Sequence, residues 1–359
     1  MAAAMAAGSA YTMTIARHLK LGLDAIAYIL LGGFLADGDG YSNPALLYAH
    51  GIKKPTANFP PGYPLFLAGL HKIGITTPTG DQLAGVVCGG ATVLMTGLLA
   101  RRITGRDGVG LVAAGLVAFS PALMATNGSL MSETLSVPLT VAVLLSADGA
   151  RRSSSLLRWI AVGFLAGLLA LVRSEDLLVG IVLVPVLVIA APSSRTGGAG
   201  RRAARVAVSL IAVVAVLSPW LVRNYETFSP RVVLSTNEGK TWAGANCAAA
   251  YSGPLIGYWD YSCLGHVQLA DSNEAEYDKV LRSQGTEYLK AHLGRVPVVV
   301  GVRVLRAWGM FAPLQQAKLD ALQTRSIGWQ QLAWPVSLVV LLIAAPGFFR
   351  MRKDRFALV

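Results

Sequence analysis

The chain has 359 residues, of which 54% are hydrophobic and only 14% are charged, and its mean hydropathy is +0.54. Soluble domains carry about 25% charged residues, so this composition excludes an ordinary soluble protein and indicates a membrane protein. The net charge is +12, but the Lys and Arg residues stand in short clusters between apolar runs. That pattern reflects membrane topology, and it does not suggest a nucleic-acid partner.

The first 82 residues contain no convincing full-length membrane span. Residues 1–22 are Ala-rich and lack the basic start of a signal peptide, so we predict a partial first helix or an N-terminal leader there. Residues 23–82 are predicted to form a first outer loop with interfacial helices. Within it, the segment 62–75 is apolar but too short to span, and the "NFPPG" before it sets a rigid turn. We predict an interfacial or re-entrant helix at 62–75.

The rest of the chain is dominated by apolar runs of spanning length. Together they predict an all-α polytopic membrane protein with about seven to nine transmembrane helices. A bundle occupies 83–222, an outer-face region 223–330, and a last helix with a basic cytoplasmic tail 331–359. The best spanning candidates are 83–100, 108–125, 134–149, 157–172, 176–192, 205–222 and 331–349.

Basic clusters at alternate ends of these runs set the predicted topology, because Lys and Arg are retained on the cytoplasmic side. This topology places the first loop, the turns near Glu133 and Arg173, and the region 223–330 on the outer side of the membrane. The clusters are Arg101, Arg102 and Arg106; Arg151, Arg152 and Arg158; Arg195, Arg201, Arg202 and Arg205; and Arg350, Arg352, Lys353 and Arg355.

The region 223–330 is predicted to form a small outer-face loop domain. Cys247 and Cys263 lie in one polar stretch of it, and two cysteines in a single non-membrane loop suggest a disulfide on an oxidising side. Residues 296–311 place Arg303 and Arg306 on one side of an apolar helix, for which we predict an interfacial position.

Asp24 stands at the front of an apolar run and shares a predicted helix face with Tyr28. A carboxylate held against apolar surface is partly desolvated, which raises its proton affinity and suits a general base. The alternative is a boundary acid at a helix N-terminus, exposed to water and favoured by the helix dipole.

Two further acidic positions lie at predicted outer turns. Glu133 follows Ser129 and Ser132, which suits a helix start with a serine cap and an acid in the first turn. In "LVRSEDLLVG", Arg173 and Glu175 crowd a tight turn with Asp176. Charges at membrane depth are functional candidates with one another as partners, although a plain hairpin turn explains the pattern equally well.

Amides and cations then cluster where the chain leaves the bundle. Arg223 and Asn224 are followed by Asn237 and Lys240, a combination that suits sugar hydroxyls or phosphate but also occurs in ordinary polar loops. The sequence contains no P-loop, dinucleotide fingerprint, hydrolase elbow or metal-ligand spacing. Nucleotide-dependent and hydrolase chemistry therefore have no support.

The order of these segments resembles that of GT-C class glycosyltransferases, specifically the protein O-mannosyltransferase and aminoarabinose transferase-like group of bacteria. The resemblance rests on "ADGDGYSNP", "PTANFPPGYPLFLAGL", "SLMSETL", "LALVRSEDLLV", "SPWLVRN" and "STNEGKTWAGANC", taken in order after Asp24. It implies a polyprenyl-phosphate sugar donor, inversion at the anomeric carbon, and an active site on the outer face of the plasma membrane. The acceptor is an unidentified protein, lipid or glycan with a hydroxyl or amine.

Residue roles follow from the same resemblance. Asp24 takes the position of the base, and Glu133 that of a second acid which helps to hold acceptor, donor or sometimes a divalent metal. Donor phosphate or sugar contacts fall on Arg173, Glu175, Arg223, Asn224, Asn237, Lys240 and Tyr28. Relatives often carry His or Lys before the paired prolines, where Phe59 stands. Either His50, Lys53, Lys54 or Asn58 would substitute, or the phosphate is held elsewhere.

Two other functions stay open at the level of sequence. A truncated or inactive homologue could serve as a membrane binding subunit, because a full helix before Asp24 is not evident. A lipid or sugar transporter would also carry charges near the membrane, but transporters usually show inverted repeats with broken helices in matching positions, and none is evident here.

Overall fold

The computed structural model describes residues 1–153, 155–191, 198–265 and 273–351, and the regular secondary structure within them is helical, with one isolated bridge between Ser42 and Pro55. The predicted all-α membrane fold is confirmed. Of the predicted basic clusters, Arg195, Arg352, Lys353 and Arg355 lie outside the described residues.

The structure contains the following α-helices in chain order. They are α1 Ala2–Thr14, α2 Leu23–Asp37, α3 Pro44–His50, α4 Gly62–Lys72, α5 Pro78–Thr104, α6 Asp107–Ala118, α7 Pro121–Asn127, α8 Glu133–Arg151, α9 Leu156–Val172, α10 Val184–Ala190, α11 Gly198–Thr227, α12 Glu238–Ala245, α13 Ala248–Tyr251, α14 Glu274–Ala291, α15 Val296–Ala307, α16 Pro313–Asp320 and α17 Ile327–Met351. Short 3₁₀ turns include Ser174–Asp176 and Tyr261–Leu264, and a π-helical turn covers Val179–Leu183.

The helices belong to two compact units. Unit 1 comprises Met1–Asp37, Pro61–Pro219 and Asp320–Val359, and unit 2 comprises Gly38–Pro60 and Trp220–Leu319.

Three described helices are long and apolar enough to cross a membrane: α5, α11 and the segment Ile327–Gly347 of α17. The number is five if each of two bent pairs counts as one span, the pairs being Ala2–His18 with Leu23–Asp37 and Asp107–Ala118 with Pro121–Asn127. The count is lower than the predicted seven to nine because several apolar runs are short or interrupted. Pro121, for example, starts a new helix inside the predicted span 108–125, and the two halves meet at 58°.

Close helix approaches in unit 1 depend on glycine. A Cβ added to Gly62, at the start of α4, would lie 2.7 Å from the Leu171 carbonyl oxygen of α9. One added to Gly32 in α2 would lie 2.7 Å from Leu67 of α4. The predicted interfacial segment 62–75 thus contains an 11-residue helix whose Tyr63 and Leu67 are buried within unit 1.

The tightest of these contacts supports a stability prediction. A Cβ at Gly163 of α9 would lie 2.1 Å from the Ser209 carbonyl oxygen of α11, a backbone atom that cannot move without shifting its helix. We expect Gly163→Ala to lower the free energy of unfolding by about 3 kcal/mol, measured by denaturant unfolding in detergent.

Gly115 provides the matched control, because it lies in α6 and a Cβ there would meet nothing within 4 Å. Gly115→Ala should be neutral or stabilising by up to about 1 kcal/mol, since Ala is the better helix former. Equal effects of the two substitutions would contradict the packing explanation.

In unit 2, the structure joins Cys247 and Cys263 in a disulfide with Cα atoms 6.2 Å apart. The bond fastens the start of α13 to the 3₁₀ turn Tyr261–Leu264. Leu264 packs with Ala243 of α12 and Leu281 of α14, so the bond anchors a turn that contributes to a small apolar core.

The disulfide should contribute measurably to the stability of unit 2. Its cysteines are 16 residues apart, and a loop of that length corresponds to about 3 kcal/mol. We expect the double variant Cys247→Ser, Cys263→Ser to have a free energy of unfolding that is lower by this amount and therefore to unfold at a lower denaturant concentration. Reducing agent should shift the wild type equally and the variant not at all. Labelling of both cysteines in unreduced, unfolded wild type would show that the bond is absent.

Candidate active site

The site in unit 1 is organised around Arg173. Helix α9 ends at Val172, Arg173 is extended (φ −142°, ψ 123°), and the 3₁₀ turn Ser174–Asp176 follows. This break turns the guanidinium toward the start of α8. It lies 2.8 Å from Glu133 Oε1 through Nη1, which also donates to Ser132 Oγ at 3.2 Å. Nε and Nη2 both donate to Glu175 Oε1, with Nε at 2.9 Å. We call these four residues the Arg173 cluster.

A second cation reaches the same carboxylate. Arg325 lies two residues before α17, and its Nη2 is 3.6 Å from Glu133 Oε1. Both side chains are largely buried, with 15% of Arg325 and 25% of Glu133 exposed. The sequence interpretation missed Arg325, although "TRSIGW" offered a signal: an arginine opens a span at its predicted outer end, contrary to the cytoplasmic preference of basic residues.

Tyr28 connects α2 to the cluster. Its ring is 4% exposed and its hydroxyl shares a hydrogen bond with Ser132. Asp24, one turn earlier, is exposed in the first turn of α2 and lies within electrostatic range of the Tyr28 hydroxyl. The structure therefore gathers Tyr28, Glu133, Arg173 and Glu175, and it leaves Asp24 at the accessible edge of this group.

The predicted serine cap of α8 is wrong. Ser132 occupies the N-cap position, but its side chain makes no capping hydrogen bond. Its hydroxyl instead contacts Arg173 and Tyr28, while the Ser129 hydroxyl donates to the Thr126 carbonyl oxygen. The predicted acid in the first turn, Glu133, is present, but its carboxylate is engaged by two arginines.

The electrostatics of the turn favour a permanently charged arginine beside partly desolvated acids. Burial alone would lower the pKa of Arg173, but the attraction of Glu133 and Glu175 outweighs it and raises that pKa. Burial raises the pKa of Asp176, an effect that Arg173 only partly offsets. Glu133 Oε2 and Asp176 Oδ2 are buried and accept no hydrogen bond from the described residues. These two oxygens are acceptors that a bound hydroxyl could use.

In unit 2, the side chains of Arg223 and Asn224 donate hydrogen bonds to backbone carbonyl oxygens. Arg223 Nη1 donates to the Thr56 carbonyl oxygen at 2.8 Å and Nη2 to that of Tyr41 at 3.2 Å, while the guanidinium lies 4.8 Å from the Trp220 ring centroid. Asn224 is fully buried and donates to the Val233 carbonyl oxygen. Both side chains are therefore committed to the fold of this unit.

The other predicted contacts of unit 2 are more accessible. Lys240 Nζ donates to Asn58 Oδ1 at 2.5 Å. Asn237 precedes α12 and is half-buried without a side-chain capping bond. His50 ends α3 and is exposed. The unit thus offers an amide and ammonium pair, with a second amide three residues before the lysine.

The amphipathic pair on α15 does not supply free cations. Arg303 donates to the Ala245 carbonyl oxygen, and Arg306 donates to those of Ile256 at 2.7 Å and Pro254 at 3.1 Å. Both arginines satisfy loop carbonyls inside unit 2.

A divalent metal was left open by the sequence. Within the described residues, no group of three or more His, Cys, Asp or Glu side chains is arranged to hold one.

Residues 58–222 match the family model for dolichyl-phosphate-mannose-protein mannosyltransferases. The match confirms the resemblance to membrane glycosyltransferases of the GT-C type and indicates a glycosyltransferase-type enzyme. The matched region contains Glu133 and Arg173, whereas Asp24 and Arg325 lie outside it. No curated protein matches the chain.

Proposed function

We propose, on the premise of this family match, that the protein is an inverting glycosyltransferase of the plasma membrane. It would move a sugar from a polyprenyl-phosphate donor to a hydroxyl or amine of an acceptor on the outer face. The observation that carries the proposal is the Arg173 cluster together with Arg325 and Tyr28: both arginines converge on Glu133, and the Tyr28 hydroxyl shares a hydrogen bond with Ser132. Fixed cations next to partly buried acids suit the departure of a phosphate group.

In the proposed reaction, the Asp24 carboxylate accepts the proton of the acceptor hydroxyl. The acceptor oxygen forms a bond to the anomeric carbon while the bond from that carbon to the phosphate oxygen breaks. The phosphate leaves with the bonding electron pair, and the configuration inverts because the acceptor oxygen attacks the face of the anomeric carbon opposite the phosphate. Asp24 is exposed in the first turn of α2, as in the boundary-acid alternative, so the predicted desolvation of its carboxylate is not observed. Its role as the base is proposed from the resemblance, and its exposure leaves it accessible to an acceptor.

Arg173 and Arg325 are proposed to stabilise the charge that develops on the leaving phosphate. Glu133 fixes both guanidiniums through one oxygen, which leaves Oε2 to accept a hydrogen bond from a sugar or acceptor hydroxyl. Glu175 positions Arg173, and Tyr28 positions Ser132. For unit 2 by itself, we propose Lys240, Asn58, Asn237 and His50 as sugar or phosphate contacts, and Arg223 and Asn224 hold the backbone carbonyls of Tyr41, Thr56 and Val233.

The decisive test uses vesicles that contain the purified full-length chain. Radiolabelled polyprenyl-phosphate sugars are added together with cell-envelope acceptors, and transfer of label is measured. We expect transfer with at least one sugar. Movement of intact labelled lipid without transfer would point to a transporter, and donor binding without turnover for every sugar tested would point to a binding subunit. Either result would overturn the proposed enzyme.

A further inference from the structure

An open groove lies between α5, α8 and α9, at the ends of these helices remote from the Arg173 cluster. Its volume is about 460 Å³, and its walls include Met95, Ala142, Leu145 and Ala161. Arg102 and Arg158 also line it. Arg158 is near the start of α9 and Arg173 follows its end, so the two positions are roughly 20 Å apart along the helix axis. The groove is thus separate from the candidate active site.

The acids near this groove are already paired. Asp148 is fully buried and accepts from Arg151 at 2.7 Å and from Arg152 at 3.1 Å. Asp107 pairs with Arg101 at 2.5 Å. Arg102 and Arg158 form no ion pair within the described part of the chain, and both are exposed. One Arg158 nitrogen, Nη1, donates to the Gly149 carbonyl oxygen at 2.9 Å, which holds the side chain at the rim while its other donors stay accessible.

We propose that this groove binds an anionic phospholipid. The lipid phosphate would contact Arg102 and Arg158, and an acyl chain would lie against the apolar wall formed by Met95, Ala142 and Leu145. Guanidinium groups suit this contact because their planar donors match phosphate oxygens. Basic pockets between transmembrane helices are characteristic sites for acidic lipid head groups on the cytoplasmic side, which is where the predicted topology puts this end of the bundle.

The apolar wall of the groove and the two arginines at its rim together favour a lipid over a soluble phosphate. A free phosphate would use the two arginines alone and gain nothing from the apolar side chains. A neutral lipid would use the wall and leave the cationic rim without its counter-charge. An anionic phospholipid matches both parts of the groove at once.

The test measures lipid binding to delipidated, full-length protein in detergent by native mass spectrometry. Phosphatidylglycerol, phosphatidylcholine and inorganic phosphate are titrated separately. We expect the wild type to bind phosphatidylglycerol in preference to phosphatidylcholine. The double variant Arg102→Gln, Arg158→Gln should bind phosphatidylglycerol about tenfold more weakly, because it loses charge-assisted hydrogen bonds. Ala142→Phe, which fills the groove and keeps both arginines, should also weaken it.

Arg106→Gln is the matched control, because Arg106 is an exposed arginine near Arg102 that does not line the groove. It should bind phosphatidylglycerol like the wild type. The proposal fails if Arg106→Gln and the double variant lose binding equally, if Ala142→Phe binds normally, or if inorganic phosphate displaces the lipid at equal concentration. The readout is independent of turnover, so its failure is distinguishable from failure of the proposed enzyme activity.

Discussion

Replacing Asp24 by asparagine is expected to lower the rate of sugar transfer by about 10²- to 10⁴-fold, the range typical of a lost general base. Asparagine keeps the shape of the side chain and removes its ability to take a proton. Because Asp24 is exposed at the start of α2, the variant should stay folded, with a loss of at most about 1 kcal/mol from the helix dipole. Initial rates with saturating labelled donor measure the effect.

Asp37 supplies the matched control. It is an exposed carboxylate at the opposite end of the same helix, so Asp37→Asn makes the same chemical change away from the cluster and should leave the rate unaltered. Turnover at the wild-type rate in Asp24→Asn would remove Asp24 as the base. A folded Asp24→Asn variant that still binds donor but does not transfer it would agree with the assignment.

Local patterns in the sequence were sufficient to predict parts of this site. The four-residue spacing of Asp24 and Tyr28 predicts that they share a helix face, and "VRSED" marks a charged break between two apolar runs. The structure adds the direction of each side chain: Tyr28 is buried against Ser132, whereas Asp24 is exposed. Periodicity places residues on a face, but the neighbouring helix decides which of them is covered.

Contacts between segments that are distant in the sequence could not be predicted from local patterns. Arg325 and Glu133 are separated by 192 positions yet meet at 3.6 Å, and no local pattern specifies such a pair. Arg223 looked like a phosphate ligand because an arginine and an asparagine stood at a helix end. Its donors are instead engaged by carbonyls of Tyr41 and Thr56, since irregular backbone needs partners for its polar groups.

The positions at which helices break were also not predictable from the sequence. Composition alone could not distinguish one straight span from two short helices at an angle, as in Asp107–Ala118 followed by Pro121–Asn127. Proline is tolerated within membrane helices when neighbours satisfy the freed carbonyls, so its presence predicts neither outcome. The disulfide, by contrast, could be predicted from the sequence, because only two cysteines occupy the predicted outer region.

Replacing Arg173 by glutamine is expected to reduce both stability and transfer. It removes the cation that joins Glu133 to Glu175, leaving Glu175 without this ion pair and Glu133 with only Arg325, beside the partly buried Asp176. Losing hydrogen bonds to charged groups should lower the free energy of unfolding by about 2 kcal/mol. Transfer should fall by at least about 100-fold, because the developing phosphate charge loses a fixed donor.

A double-mutant cycle separates the pair from its surroundings. Glu133→Gln combined with Arg173→Gln should cost about 1–3 kcal/mol less than the sum of the single changes, because that sum counts the lost Glu133–Arg173 interaction twice. Arg101→Gln is the control, since the Arg101–Asp107 pair is exposed at 60% and 76% and such pairs contribute at most about 1 kcal/mol. If the Glu133 and Arg173 changes add within about 0.5 kcal/mol, the two residues do not act as a coupled pair. The cluster could then not hold its cations through Glu133 in the way the proposed mechanism requires.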